Sequence, residues 1–253
     1  MSGIRCIAAT VLALLLLAVA SPVRAEMSGD EKREVEKVIR DYLLTNPEIL
    51  EEAINALRAK REEAAAVEQA NAIEENGDLI FGSEHQMVLG NPDGAITLVE
   101  FFDYNCGYCK RAVSDMVALL DGNPDLKIVM KEFPILSEGS AEAARVSIAV
   151  KDVAPESYLK FHQELFTRPG QANAAKALEV AVDLGLDKAV IETAAASESV
   201  TENLQEVHRV ATMLGITGTP SYVLGTELVP GAIGFDKLQT KVASVRECGK
   251  TLC

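Results

Sequence analysis

The run Ala95-Ile-Thr-Leu-Val-Glu-Phe-Phe102 is followed by Cys106-Gly107-Tyr108-Cys109 and then by a helix-like run, and no other feature constrains the fold as tightly. The first run is β-branched and aromatic, as a buried central strand must be. From Lys110 to Leu120, residues Ala112, Val113, Met116, Val117 and Leu120 recur at helical spacing. The first cysteine therefore falls at a helix N-terminus. There the unpaired N–H groups and the positive end of the helix dipole stabilise a thiolate. Two cysteines so placed read as a redox dithiol, with Cys106 the expected nucleophile and Cys109 the expected resolving thiol.

The elements after the dithiol extend this core. Leu126 to Phe133 reads as a second central strand, closed by Pro134. From about 138 to 213 the pattern is helical, and Tyr158, Phe161 and Phe166 sit among apolar neighbours as core residues do. Strands return at Ser221–Leu224 and Glu227–Val229 around a Gly225-Thr226 turn, and a last helix covers Phe235 to Arg246. Strand, helix, strand, helical block, hairpin and helix make an α/β chain: a thioredoxin-like fold with an inserted helical domain.

Ahead of it, Asp30 to about Ile73 reads as two amphipathic helices. Val35, Val38, Ile39, Tyr42 and Leu43 share one face; Asn46-Pro47-Glu48 restarts the helix with a cap, a proline at the first position and an early acid. Ile49, Leu50, Ala53, Ile54 and Leu57 form the second face. Such faces must be buried, either on the following domain or on further copies of the chain. Gly77, Gly82, Gly90 and the Asn91-Pro92-Asp93-Gly94 turn signal mark Glu74 to Gly94 as a linker. The expected domains are a leader over 1–25, a helical oligomerisation segment over 26–76 and a catalytic domain over 77–253.

The leader is an export signal. Arg5 precedes an apolar stretch from Ile7 to Ala20, and Val23 and Ala25 supply small residues for cleavage after Ala25. Cys6 leaves with it. The exported protein is expected in the periplasm, where disulfides persist. Loss of Arg5 and Arg24 takes the formal charge from -14 to -16, which argues against nucleic acid as a partner.

Glu100-Phe-Phe-Asp-Tyr-Asn-Cys-Gly-Tyr-Cys-Lys110 and Gly218-Thr-Pro-Ser-Tyr222 resemble the two signatures of exported DsbA-like thiol-disulfide oxidoreductases. The acidic N-terminal helices with Asn46-Pro47-Glu48 resemble the ScsC-like (suppressor of copper sensitivity) group, some of whose members oligomerise through this region. The resemblance implies a cis peptide before Pro220 and a Thr219 backbone that pairs with an extended substrate segment beside Cys106. It implies that Glu100, paired with Lys131 from the neighbouring strand, lies beneath the dithiol and relays the Cys109 proton; alternation could instead turn either side chain to solvent. Gly107-Tyr108 lacks the histidine of the Pro-His pair in strongly oxidising relatives, so a milder redox centre is expected. Polypeptides with cysteines are the implied substrates, a membrane protein of DsbD type the implied redox partner, and no cofactor is called for.

Three readings of function follow. The first is a disulfide isomerase or reductase that oligomerises, the second a monomeric dithiol oxidase, and the third a copper- or zinc-sequestering protein. Cys248 and Cys253 read as a structural disulfide closing the tail, as an accessory redox pair, or as half of a four-cysteine metal site whose irregular spacing argues against it. His85, His162 and His208 are dispersed, make no ligand spacing and read as surface or packing residues.

Overall fold

The computed structural model describes residues 27–253, so the expected leader and Cys6 lie outside the described residues. The chain divides into two compact units, residues 1–61 and 62–253. The division falls before Gly77, where turn residues had placed it. Residues 62–76 belong with the second unit because the end of their helix has a core to join: Ile73 is buried there with Ile80.

In the first unit, α1 (Gly29–Thr45) opens on Ser28. The Ser28 hydroxyl accepts the Glu31 N–H at 3.3 Å while the Glu31 carboxylate accepts the Ser28 N–H at 2.7 Å, so each covers a donor the helix leaves unpaired. The helix stops at Asn46, whose backbone and side-chain N–H groups both bond to the Tyr42 carbonyl. Pro47 then leads into α2 (Glu48–Glu75), where its missing N–H has no partner to lose. No residue of α1 is buried. Val38, Ile39, Tyr42, Leu50, Ile54 and Leu57 all stand exposed.

The second unit is built on a five-stranded sheet of order β1-β3-β2-β4-β5. The strands are β1 (Met87–Gly90), β2 (Ile96–Phe102), β3 (Leu126–Glu132), β4 (Ser221–Leu224) and β5 (Glu227–Pro230). Central β2 pairs parallel with β3 and antiparallel with β4. The stretch read as a linker instead supplies a short helix, α3 (Gly77–Phe81), and the edge strand β1. Leu89 has a neighbour to pack on only because β3 lies alongside, with Ile128 opposite it. Gly90, at φ +82°, lets the chain turn where a side chain would meet the Leu126 carbonyl oxygen at 2.6 Å.

Side chains of β2 alternate between two cores. Leu98 and Phe102 join Ile128 and Met130 on one face, beneath α4 (Gly107–Gly122), α10 (Phe235–Cys248) and the helices α5 (Glu138–Val153), α6 (Tyr158–Thr167), α7 (Ala174–Asp183) and α8 (Lys188–Ala195). Val99 and Phe101 join Val129 on the other, with Val207, Val210 and Ala211 of α9 (Glu198–Met213). The last helix of the expected insertion thus returns to cover the far face of the sheet.

This alternation separates two residues that the sequence pairs. Parallel register sets Glu100 beside Met130 and Phe101 beside Lys131, so Glu100 and Lys131 point to opposite faces and form no ion pair. Lys131 is fully buried on the α9 face, where its Nζ donates to the Leu79 carbonyl at 3.2 Å and lies 3.8 Å from Glu206 Oε1. Gln86 donates to the same oxygen at 3.2 Å. The lysine therefore ties α3 and the chain after it to the sheet. Glu206→Ala should destabilise the protein by about 3–5 kcal/mol in urea unfolding, because it leaves a charge buried without its partner. Lys131→Met combined with Glu206→Leu should restore most of that loss.

Candidate active site

Asp103, Tyr104 and Asn105 carry the chain from β2 to the dithiol. The Asp103 carboxylate accepts the Asn105 N–H at 2.8 Å through Oδ1, and those of Ile135 and Leu136 at 2.9 and 3.0 Å through Oδ2. Its carbonyl accepts the Cys106 N–H at 2.9 Å. A short acidic side chain is suited to such a turn because it can bond the backbone two residues on. Asn105 then reaches into the helical insertion: its amide accepts the Ala172 N–H at 2.7 Å and donates to Ser140 Oγ at 2.9 Å. Tyr104 does likewise, its hydroxyl lying 2.8 Å from Ser147 Oγ and 3.1 Å from His162 Nδ1.

Cys106 is the N-cap of α4, with the Cys109 N–H 3.5 Å from its sulfur. Both thiols are free and buried. The Cys106 Sγ lies 3.1 Å from the Thr219 carbonyl, and the Thr219-Pro220 peptide is cis. Gly107 has open space where a side chain would begin, and Tyr108 is exposed with the Arg111 guanidinium 4.3 Å from its ring centre. The structure thus brings Cys106, Cys109, Gly107, Tyr108, Thr219 and Pro220 to one place.

The two cysteines differ in setting. Burial pushes the Cys109 thiol well up, with the charges of Cys106 and Glu100 adding to it and a backbone hydrogen bond from Asp103 opposing it. The Thr219 hydroxyl also favours the Cys109 thiolate. In the dithiol state Thr219 Oγ1 is buried without a hydrogen-bond partner, which leaves its proton available to a sulfur that becomes charged. Glu100 lies on the dithiol face of the sheet, with no ion-pair partner among the described residues. Burial, with the Asp115 charge second, raises its pKa to about 8. Lys131 is not at the site. Burial therefore favours the neutral carboxyl of Glu100 near neutral pH, where an ion pair would have kept it charged.

Cys248 and Cys253 are joined to each other, which withdraws both thiols from a site shared with Cys106 and Cys109. Among the described residues, no three His, Cys, Asp or Glu side chains are grouped to hold a metal ion. His162 is buried against Phe102, Tyr104 and Phe166, and burial lowers its pKa to about 3. The sequence reading overlooked the roles of Asp103 and Asn105, although two turn-forming residues between a strand and a helix were the available signal.

A sheet that delivers a dithiol at a helix N-terminus, opposite a cis-proline loop, defines a thioredoxin-fold protein built for thiol-disulfide exchange. Residues 97–243 match the DSBA-like thioredoxin domain, and the chain belongs to that family. Residues 31–64 match the copper resistance protein ScsC N-terminal domain. A thioredoxin-like oxidoreductase from Silicibacter pomeroyi DSS-3 is 38% identical with a TM-score of 0.65, covering 68% of this chain and 98% of that one. Proteus mirabilis ScsC in a transitional conformation is 31% identical with a TM-score of 0.64, covering 87% and 97%. Disulfide bond formation protein D of Bacillus subtilis (strain 168) is 32% identical over 105 residues, 39% of this chain and 47% of that protein, so the chain spans about half of that relative's length.

A carboxyl whose folded pKa stands above its unfolded value stabilises the fold most below the unfolded pKa, and that contribution is lost as pH rises through the folded one. For Glu100 the window runs from 4.5 to about 8. Glu100→Gln should therefore gain stability relative to the parent protein as pH is raised from about 5 to about 9 in urea unfolding. The same substitution should slow the release of mixed disulfides by Cys109, measured by stopped flow.

Proposed function

We propose that this chain is an exported, periplasmic thiol-disulfide oxidoreductase that reshuffles or reduces disulfides in polypeptides. Reduced Cys106 attacks one sulfur of a substrate disulfide; an S–S bond forms to Cys106 and the other substrate sulfur leaves as a thiolate. A second substrate thiolate then attacks the substrate sulfur and releases Cys106, which is isomerisation. Alternatively Cys109 loses its proton and attacks Cys106, so the substrate leaves reduced and the enzyme oxidised. The Thr219 backbone would hold the substrate segment in line, and a redox partner of DsbD type would return the enzyme to the dithiol.

The observation that carries the isomerase reading is the exposed apolar stripe of α1 and the start of α2, in a unit where α1 buries nothing. Joined to copies of itself, that stripe would make the chain a homo-oligomer that presents several dithiols to one misfolded substrate. A periplasmic thioredoxin-like protein from Salmonella enterica serovar Typhimurium, 26% identical with a TM-score of 0.60, agrees with the export reading. Among the described residues no helix is long and apolar enough to cross a membrane.

A dithiol oxidase is the second reading, favoured by the name of the Bacillus relative. Copper handling finds less support: residues 31–64, which match the domain named for copper resistance, contain no cysteine, histidine or methionine.

The parent protein should reactivate scrambled ribonuclease while Cys106→Ser does not; oxidation of reduced ribonuclease without reshuffling would favour the oxidase. Light scattering should give the parent chain a multiple of its 27.1 kDa sequence mass, less any cleaved leader. Val38→Glu with Tyr42→Glu should return it to one copy and sharply reduce reshuffling, leaving reduction of small disulfides within about twofold because both residues lie outside the catalytic unit.

A further inference from the structure

Two depressions lie about the active-site loops, and of these one is lined by a cysteine of the dithiol. One, of about 200 Å³, is formed by the loop around Thr219 and Pro220. The other, of about 460 Å³, includes Cys106 itself and is walled by the helical insertion, with no residue of the Thr219 loop in it. Leu165 and Phe166 supply apolar wall there. Lys110 and Arg168 line it as well, and none of its lining residues is acidic. On a chain of formal charge -14 this is a local reversal of sign at the nucleophile. Arg168 spends one nitrogen on Asp183, 2.7 Å away, in a pair exposed enough to be worth little and to leave the other guanidinium donors unused.

We propose that this second cavity is a subsite for an acidic side chain carried two residues from the reacting cysteine of a polypeptide substrate. The inference rests on exchange chemistry at Cys106 and adds a specificity to it. In an extended segment, residues two apart point to the same side and stand about 7 Å from each other. A substrate that turns its cysteine toward Cys106 therefore turns the residues at both ±2 positions toward the enzyme. One is carried over the Thr219 loop and the other over Lys110 and Arg168. Asn105, held by Ala172 and Ser140, fixes the wall between the nucleophile and these cations.

The test uses peptides closed by one internal disulfide, with Glu, Gln or Lys two residues before or after each cysteine. The second-order rate of their reduction by the full-length reduced protein is followed by acid quench and mass spectrometry. At 0.05 M salt the Glu peptide should react faster than the Lys peptide by about fivefold at one of the two positions, the size of one or two exposed ion pairs. The preference should fade at 1 M salt, where the screening length is about 3 Å. Lys110→Glu with Arg168→Glu should reverse the ratio, and Lys110→Gln with Arg168→Gln should bring it to one. Comparing ratios within each protein cancels any change in Cys106 reactivity. Equal Glu and Lys rates in the parent protein, or a ratio the substitutions leave unmoved, overturn the subsite while exchange stands. Failure to reduce even the Gln peptide overturns the exchange reading, and the subsite with it.

Discussion

The Asp103 carboxylate, buried where the two central strands end, accepts backbone N–H groups from Asn105, Ile135 and Leu136. A carboxylate away from water is costly unless its oxygens are satisfied, and here both accept hydrogen bonds from backbone donors. Those donors come from two different chain segments. One leaves β2 toward the dithiol and the other leaves β3 toward the helical insertion, so a single side chain sets the spacing between nucleophile and insertion. The N–H of Cys106 bonds to the carbonyl of the same aspartate, which fixes where α4 begins. The position of the reactive sulfur thus depends on this one turn, and the Tyr104 and Asn105 contacts to the insertion depend on it in turn.

The sheet then sorts charge by parity. One residue separates Glu100 from Phe101, and it decides that the acid lies under the dithiol while Lys131 lies under α9. The two buried charges meet different fates. Lys131 finds Glu206 and the Leu79 carbonyl and fastens the chain entering the domain. Glu100 has no ion-pair partner among the described residues, and burial raises its pKa to about 8. A site that had paired them would have kept the acid ionised.

What the sequence made legible follows from the range of the forces involved. The strand, dithiol and helix were readable because periodicity and capping are local, and so were α1 and α2, whose Asn46-Pro47 break is written within a few residues; the Ser28 cap of α1 was not singled out. Strand β1 and helix α3 were not. Their apolar residues are few and lie among glycines, and they are ordered by partners such as Ile128 that are remote in the chain. The Glu100–Lys131 pairing failed for a related reason: both residues are in central strands as expected, but a stagger of one position in parallel pairing carries a side chain to the opposite face. Asp103 and Asn105 have no role readable from the motif alone, because apart from the bond between them their side chains reach residues more than thirty positions away.

The asymmetry of the two thiols bears on the direction of the chemistry. Cys106 lines a surface depression and has the Thr219 carbonyl and the Cys109 N–H beside its sulfur, whereas Cys109 is held protonated by burial. Attack by Cys106 needs no change in that burial, but resolution by Cys109 waits on loss of a proton. The thiolate so formed is disfavoured by burial and favoured by the Thr219 hydroxyl. A mixed disulfide that waits for that step persists longer, and its lifetime is the interval in which another thiol of the bound polypeptide can attack first. Under the exchange function proposed above, slow resolution would favour reshuffling over net reduction, through the burial of a single sulfur rather than through any added group.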